Sequence, residues 1–309
     1  MPPTMTSNCN RDAMAAFGAA HLLDGIVCGD SLNEMPKMPA QSVDAIISDL
    51  PYGTTACKWD SVIPFAPLWA EWKRLLKPNG VIVLTASQPF TSLLVVSNLD
   101  AFKYEVIWEK DKPSDFALAA RRTMKYHESV LVFCDGRETY NAQMTMGEPN
   151  HSVGRGIRKK TNESGANTAT VTNKLDGWKH PKSVMRFNRE PVPTHPTQKP
   201  ESLMRYLVRT YTNPGDVVLD PCCGSGTTCV AAKQEGRHYI GIEKEQRYAD
   251  SAKRRTHETL GMASNDQADP QPGQRPQDNA EIAQTYNDTK PEALTAVGSS
   301  DWLGVFLLQ

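Results

Sequence analysis

Two short runs of this 309-residue chain, VDAIIS at 43–48 and VIVLTA at 81–86, are apolar at nearly every position instead of every second one. A strand of that kind is covered on both faces, and such strands belong to parallel sheets flanked by helices. Between the two, segment 64–80 places Leu68, Trp69, Trp72, Leu75 and Leu76 at helical spacing, and the run Lys77-Pro78-Asn79-Gly80 is expected to stop that helix. The alternation continues along the chain. Strands are predicted at 26–30, 104–108, 129–134, 217–220 and 238–243, and helices at 200–213, 227–235 and 245–260. Strands alternating with helices argue for an α/β fold with a mostly parallel sheet.

Composition excludes several classes. The 39% apolar and 22% charged fractions are those of an ordinary globular chain. No run approaches the roughly 18 apolar residues of a membrane span, and the N-terminus lacks a basic stretch before a long apolar one. No membrane association is expected, and the cytoplasm is the expected location. The seven cysteines are scattered without a C-x-x-C pair, which fits a reducing compartment and gives no zinc or other metal site.

The net charge of −1 hides an asymmetry. Residues 137–194 carry ten Lys/Arg against five Asp/Glu, whereas 262–309 carry two against seven. The basic segment is rich in Gly, Asn and Thr and is too long for an ordinary connection. It is read as an insert: either a separate recognition lobe or a disordered loop. The expected organisation is a flexible N-terminus at 1–20, a first half-domain at 21–136, the insert at 137–194, a second half-domain at 195–260, and an acidic disordered tail at 261–309.

Two of the predicted strands end alike. Asp49 closes the first and is followed by Leu50-Pro51-Tyr52-Gly53, while Asp220 closes the other and is followed by Pro221 and a loop containing Gly224, Gly226, Thr227 and Thr228. Glycines there let the backbone approach a ligand, and the helix N-terminus offers free N–H groups. Glu243 ends the next strand 19 positions after Gly224, where a carboxylate can grip ribose hydroxyls. Position 229 is cysteine, so the third glycine of the dinucleotide fingerprint is missing. A ligand with a ribose and a carboxylate but no pyrophosphate fits better, and S-adenosylmethionine is one. Ligands of open α/β sheets bind beyond the carboxyl ends of strands. If strands 43–48 and 217–220 are neighbours, Asp49 and Asp220 project into one crevice. Alone, Asp49 reads equally well as a turn or cap residue, and Tyr52 as a core aromatic.

Three motifs together carry a resemblance. SDLPYG at 48–53 resembles the D-P-P-Y motif of DNA amino-methyltransferases, which modify adenine N6 or cytosine N4. LDPCCGSGTT at 219–228 is similar to their cofactor loop, and THPTQKP at 194–200 is also characteristic. Their order, with the basic segment between, matches the permuted β class. The resemblance spans about 26–257. It implies a Rossmann-like methyltransferase fold: a mostly parallel seven-stranded sheet whose antiparallel hairpin comes from 104–108 and 129–134.

It also implies roles. Asp49 and the carbonyl of Leu50 would accept the amine hydrogens of a flipped base, Pro51 would stiffen the turn, and Tyr52 would stack on the base. Asp220, Gly224 and Gly226 would shape the S-adenosylmethionine pocket, with Thr227 and Thr228 near the methionine carboxylate. Glu243 would hold the ribose, Asp30 the cofactor's adenine amino group, and Thr197 and Lys199 the methionine end. In the insert, Arg155, Arg158, Lys159 and Lys160 would bind phosphates, and Trp178, Lys179 and Arg186 would reach bases.

One departure is Leu50, where the family's first proline stands; the role there belongs to the backbone. The paired cysteines Cys222 and Cys223 are read as packing residues. Aspartate in the first motif position favours adenine N6 over cytosine N4 by family analogy. The implied partner is double-stranded DNA. The enzyme would stand free or beside a cognate restriction enzyme, as a monomer or homodimer, in a bacterial or phage-infected cell. Competing readings are a non-catalytic DNA-binding homologue, a methyltransferase acting on RNA or on a protein glutamine, and a nicotinamide oxidoreductase.

Overall fold

The computed structural model describes residues 22–55, 57, 60–147, 177–191 and 197–259. Arg155, Arg158, Lys159, Lys160, the first three residues of the THPTQKP motif (194–196), the N-terminal 1–20 and the acidic tail lie outside these.

Among the described residues, ten strands occur in the order β1 (Gly25–Cys28), β2 (Val43–Asp49), β3 (Leu76–Ala86), β4 (Phe102–Ser114), β5 (Lys125–Phe133), β6 (Thr145–Met146), β7 (Trp178–Lys179), β8 (Val184–Phe187), β9 (Val217–Asp220) and β10 (His238–Glu243). The helices are α1 (Ser31–Glu34), α2 (Phe65–Leu75), α3 (Phe90–Val96), α4 (Glu201–Tyr211), α5 (Thr227–Gln234) and α6 (Gln246–Glu258). Among the described residues, no helix is long and apolar enough to cross a membrane.

The sheet order is β1-β10-β9-β2-β3-β5-β4-β8. The expected seven strands are its first seven, and β5 runs antiparallel to both β3 and β4. The eighth, β8, comes from the segment read as an insert and pairs parallel to β4. Four residues alternating exposed and half-buried are too few to declare a strand without their partner. Among the described residues, 146–147 and 177–179 fall in a second unit, while 180–191 belongs to the first.

Helices cover both faces of the sheet. On one, Leu68, Trp72 and Leu75 of α2 and Phe90 and Leu94 of α3 pack on Ile46, Leu84 and Leu219. On the other, Leu203 and Leu207 of α4, Ala231 of α5 and Ala249 and Ala252 of α6 meet Ile47, Val83 and Val218. The spacing of Leu68, Trp72 and Leu75 puts all three on one helix stripe. That helix ends at Leu75, earlier than expected, and 76–80 already belong to β3. Pro78 is the reason: it forces Lys77 toward extended backbone.

The central pairing places the site. Ala45 lies opposite Val218 and Ile46 opposite Leu219, so β2 and β9 are parallel neighbours. From β9 the chain crosses to β10 on one side, and from β2 to β3 on the other. This is the switch point at which open α/β sheets leave a crevice beyond the strand ends.

Candidate active site

Asp49 and Asp220, the last residues of β2 and β9, both line a single cavity of about 660 Å³. Ser48 Oγ donates to Asp220 Oδ1 at 2.7 Å, which ties the two strand ends together. The cavity is also lined by Asp30, Leu50, Pro51, Tyr52, Lys110, Glu128, Thr197, Lys199, Gly224, Thr227, Thr228 and Glu243. Every sequence-predicted catalytic and cofactor residue is therefore on its wall except Gly226.

Gly226 has a different task. Its φ is 81°, and a Cβ there would sit 2.8 Å from Cβ of Ala252. Glycine is needed for α6 to pack on the start of α5. Gly224, with φ 54°, is the one whose left-handed backbone faces the cavity.

On the Asp220 side the groups are well partnered. Asp220 Oδ1 also accepts from Cys222 N at 3.1 Å. Burial raises its carboxyl pKa to about 6, although the hydroxyls of Thr228 and Ser48 oppose the shift. Glu243 accepts from Gly224 N and Glu245 N, both at 2.8 Å. Burial raises its pKa too, against those backbone bonds. Asp30 caps α1 by accepting from Leu32 N at 3.0 Å. Thr227 Oγ1 accepts from Arg255 at 3.1 Å. Burial pushes the Cys222 thiol well up, so it packs as a neutral thiol.

The Asp49 side holds a network the sequence did not reveal. Oδ1 of Asp49 accepts from Tyr52 Oη at 2.6 Å and from Thr85 Oγ1, its register partner on β3, at 2.5 Å. Oδ2 accepts from Lys199 Nζ at 2.7 Å. The Lys199 ammonium thus sits on the Asp49 carboxylate. It also lies 3.3 Å from Glu128, whose other oxygen pairs with the buried Lys110 at 3.1 Å. Burial works to lower the Lys199 pKa, but Asp49, Tyr52 and Glu128 outweigh it and hold the ammonium well above its usual range. Burial likewise works to raise Glu128, and Lys199 and Lys110 hold it down. The four side chains stand in a row of alternating sign: Lys110, Glu128, Lys199, Asp49.

Tyr52 is half-buried beside this row, and desolvation with the Asp49 charge keeps its phenol protonated. Phe90 stacks on its ring at 5.0 Å between centroids, and Lys199 Nζ is 5.5 Å from the same ring. Leu50 is buried in the core cluster, so the off-pattern side chain anchors the turn by packing. After Tyr52, Gly53, Thr54 and Thr55 donate three backbone N–H bonds to Asp60 at 2.8, 3.0 and 2.6 Å. Burial acts to raise the Asp60 pKa, and the Thr55 hydroxyl and those N–H bonds lower it overall. The loop carrying Tyr52 is clamped by a carboxylate that sequence reading passed over.

Glu128 and Lys110 were missed for a topological reason. β5 is antiparallel, so its beginning lies at the carboxyl end of its neighbours, and Glu128 stands opposite Trp108. Of the residues expected to meet DNA, Arg186 is exposed on β8, and Trp178 and Lys179 are half-buried in the second unit.

Known proteins resemble this chain in sequence and fold. The DNA methylase family model matches residues 43–254. A DNA adenine methyltransferase, YhdJ of Escherichia coli strain K12, is 31% identical over 246 residues, covering 74% of this chain and 81% of that protein. The type II methyltransferase M.HinfI of Haemophilus influenzae is 31% identical over 264 residues, covering 76% and 69%. Among solved structures, the M1.HpyAVI–SAM complex is 26% identical with a TM-score of 0.50, covering 75% of this chain and 98% of that one. The cytosine-N4-specific PvuII DNA methyltransferase shares the fold at 16% identity, with a TM-score of 0.54 over 85% of this chain and 90% of its own.

Proposed function

This chain belongs to the N6/N4 DNA methylase family, and we propose that it methylates adenine N6 in double-stranded DNA, with S-adenosylmethionine as donor. The observation that carries the reading is the pairing of β2 with β9, which brings Asp49 and Asp220 to one cavity. Adenine is favoured by the adenine-specific name of one relative and by aspartate in the first motif position. The proposal extends to a cognate restriction enzyme as partner and to a monomer or homodimer.

The donor set suits the cofactor. Asp30 and Glu243 offer carboxylate oxygens for an amino group and a ribose, and Thr227 stands at the N-terminus of α5, where a carboxylate is favoured. When bound, S-adenosylmethionine supplies a methyl group activated by a sulfonium.

The protein's part is to make an amine nucleophilic. An exocyclic amine delocalises its lone pair into the ring. Asp49 and the Leu50 carbonyl accept its two hydrogens, draw the nitrogen toward tetrahedral geometry, and free the pair for in-line attack. Before that, the amine must take the place of Lys199 on Asp49. Glu128, 3.3 Å from Nζ, is positioned to keep the ammonium when it moves. The proton released from nitrogen passes to Asp49.

The test is to incubate the protein with labelled S-adenosylmethionine and unmethylated plasmid DNA, then sequence for the modified base. N6-methyladenine at a defined site is expected. N4-methylcytosine would replace the adenine assignment, and no transfer to any duplex would overturn the reading.

A further inference from the structure

The tip of the β4–β5 hairpin, residues 115–124, is used by none of the steps above. It carries Phe116, 78% exposed and among the most exposed large apolar side chains described, with Leu118 and Met124 also exposed. Around them stand Lys112, Arg121, Arg122 and Lys125 against a single tip carboxylate, Asp115. That carboxylate is occupied: Arg122 pairs with it at 2.7 Å and folds the tip back on itself. Asp115 takes a left-handed backbone, φ 64°, which turns the chain sharply at Phe116.

The hairpin is rooted in the base side of the cavity. Lys110 and Ser114 of β4 line it, and Lys110 Nζ donates to Ser114 Oγ at 2.6 Å. Lys125, at the start of β5, donates to Ser87 Oγ, which lines the same cavity. Phe116 is two residues beyond Ser114, so its Cα lies within about 7 Å of that wall. An exposed phenyl ring in a basic collar, beside the pocket that receives a flipped base, matches the apolar wedges that fill a gap in a base stack.

Resting on the DNA-methylase reading, we infer that the hairpin tip docks on the DNA duplex. Phe116 enters the stack at the position vacated by the target base, and Arg121 binds a flanking phosphate. Apolar exposure here serves a nucleic acid and not a protein partner, because residues 112–125 carry four Lys/Arg against one Asp, and that net positive charge complements phosphate.

The experiment compares wild type with Phe116→Ala, Phe116→Trp and Arg121→Ala. The target site is first mapped on plasmid DNA, then placed in two oligonucleotide duplexes: one fully paired, one with an abasic position opposite the target base. For Phe116→Ala, kcat/KM on the paired duplex falls about tenfold, the scale of one lost stacking contact. On the abasic duplex, where flipping costs little, the loss is under twofold. Phe116→Trp stays within twofold of wild type on both. Arg121→Ala lowers the slope of log affinity against log salt by about one. Thermal melting stays unchanged for Phe116→Ala, since the side chain touches solvent. Wild-type rates for Phe116→Ala on the paired duplex, or equal losses on both, overturn the wedge. Absence of transfer by the wild type on either duplex overturns the methylase reading itself.

Discussion

Removing the charge of Glu128 by Glu128→Gln tests the row of alternating ions. Its carboxylate lies 3.1 Å from Lys110 Nζ and 3.3 Å from Lys199 Nζ. At an effective dielectric near 20, each contact is worth about 5 kcal/mol of Coulomb energy before desolvation is counted. The side chains of Lys110, Lys199 and Glu128 are 3%, 9% and 16% exposed, so water screens them little. Breaking such a pair leaves a buried charge uncompensated and costs about 3–5 kcal/mol. The expected fall in Tm is about 6–20 °C for a domain of this size. Lys199→Met alone is destabilising for the mirror reason, since it leaves Asp49 and Glu128 facing one another. The double variant removes both charges and recovers at least about 2 kcal/mol relative to the sum of the singles. Methyl transfer falls as well in Glu128→Gln, because the ammonium then has no second carboxylate to move to. The readouts are a double-mutant cycle by chemical denaturation and kcat/KM on plasmid DNA. A cost under about 1 kcal/mol for Glu128→Gln, or strict additivity, refutes the reasoning.

Asp220 has its folded pKa raised to about 6 by burial, so its contribution is complete below the ordinary carboxylate range and is lost as pH rises toward 6. Asp220→Asn therefore raises Tm at pH 8, by up to about 3 kcal/mol of stability, and changes little at pH 4; a lower Tm at pH 8 contradicts this. Asp60→Ala frees three backbone N–H groups and is expected to cut kcat about tenfold or more through the Tyr52 loop, with cofactor affinity unchanged by calorimetry. Replacing 148–176 with a short Gly/Ser linker is expected to remove duplex binding while cofactor binding persists, read by gel shift and calorimetry; full sequence-specific methylation by that variant counts against a DNA-reading role for the segment.

Much of the fold was legible because VDAIIS, VIVLTA and VVLD are apolar on both faces, and only one class of sheet buries strands that way. The strand-terminal aspartates are legible as a pair, since Asp49 alone reads equally well as a turn or cap residue and gains its meaning from Asp220 at the end of a second buried run. What sequence could not give was pairing. Glu128 and Lys110 become neighbours of Asp49 only once β5 is known to run backwards beside β3. Lys199 is legible as a cavity residue from its motif, but its hydrogen bond to Asp49 is not, because a motif fixes a loop's presence and not the direction of a four-carbon side chain. Gly226 carries a requirement the loop pattern does not announce: its hydrogen is needed against Ala252. Strand β8 escaped because four residues lined up on β4 acquire a pattern only from their partner.

The division of labour between the two aspartates is tested most directly by measuring methyl transfer and S-adenosylmethionine binding in Asp49→Ala and Asp220→Ala side by side. Asp49→Ala is expected to bind the cofactor within twofold of wild type and to lose transfer by about 10²–10³-fold or more. Asp220→Ala is expected to lose cofactor binding itself. Transfer at the wild-type rate by Asp49→Ala, or undiminished cofactor binding by Asp220→Ala, contradicts the two-part site.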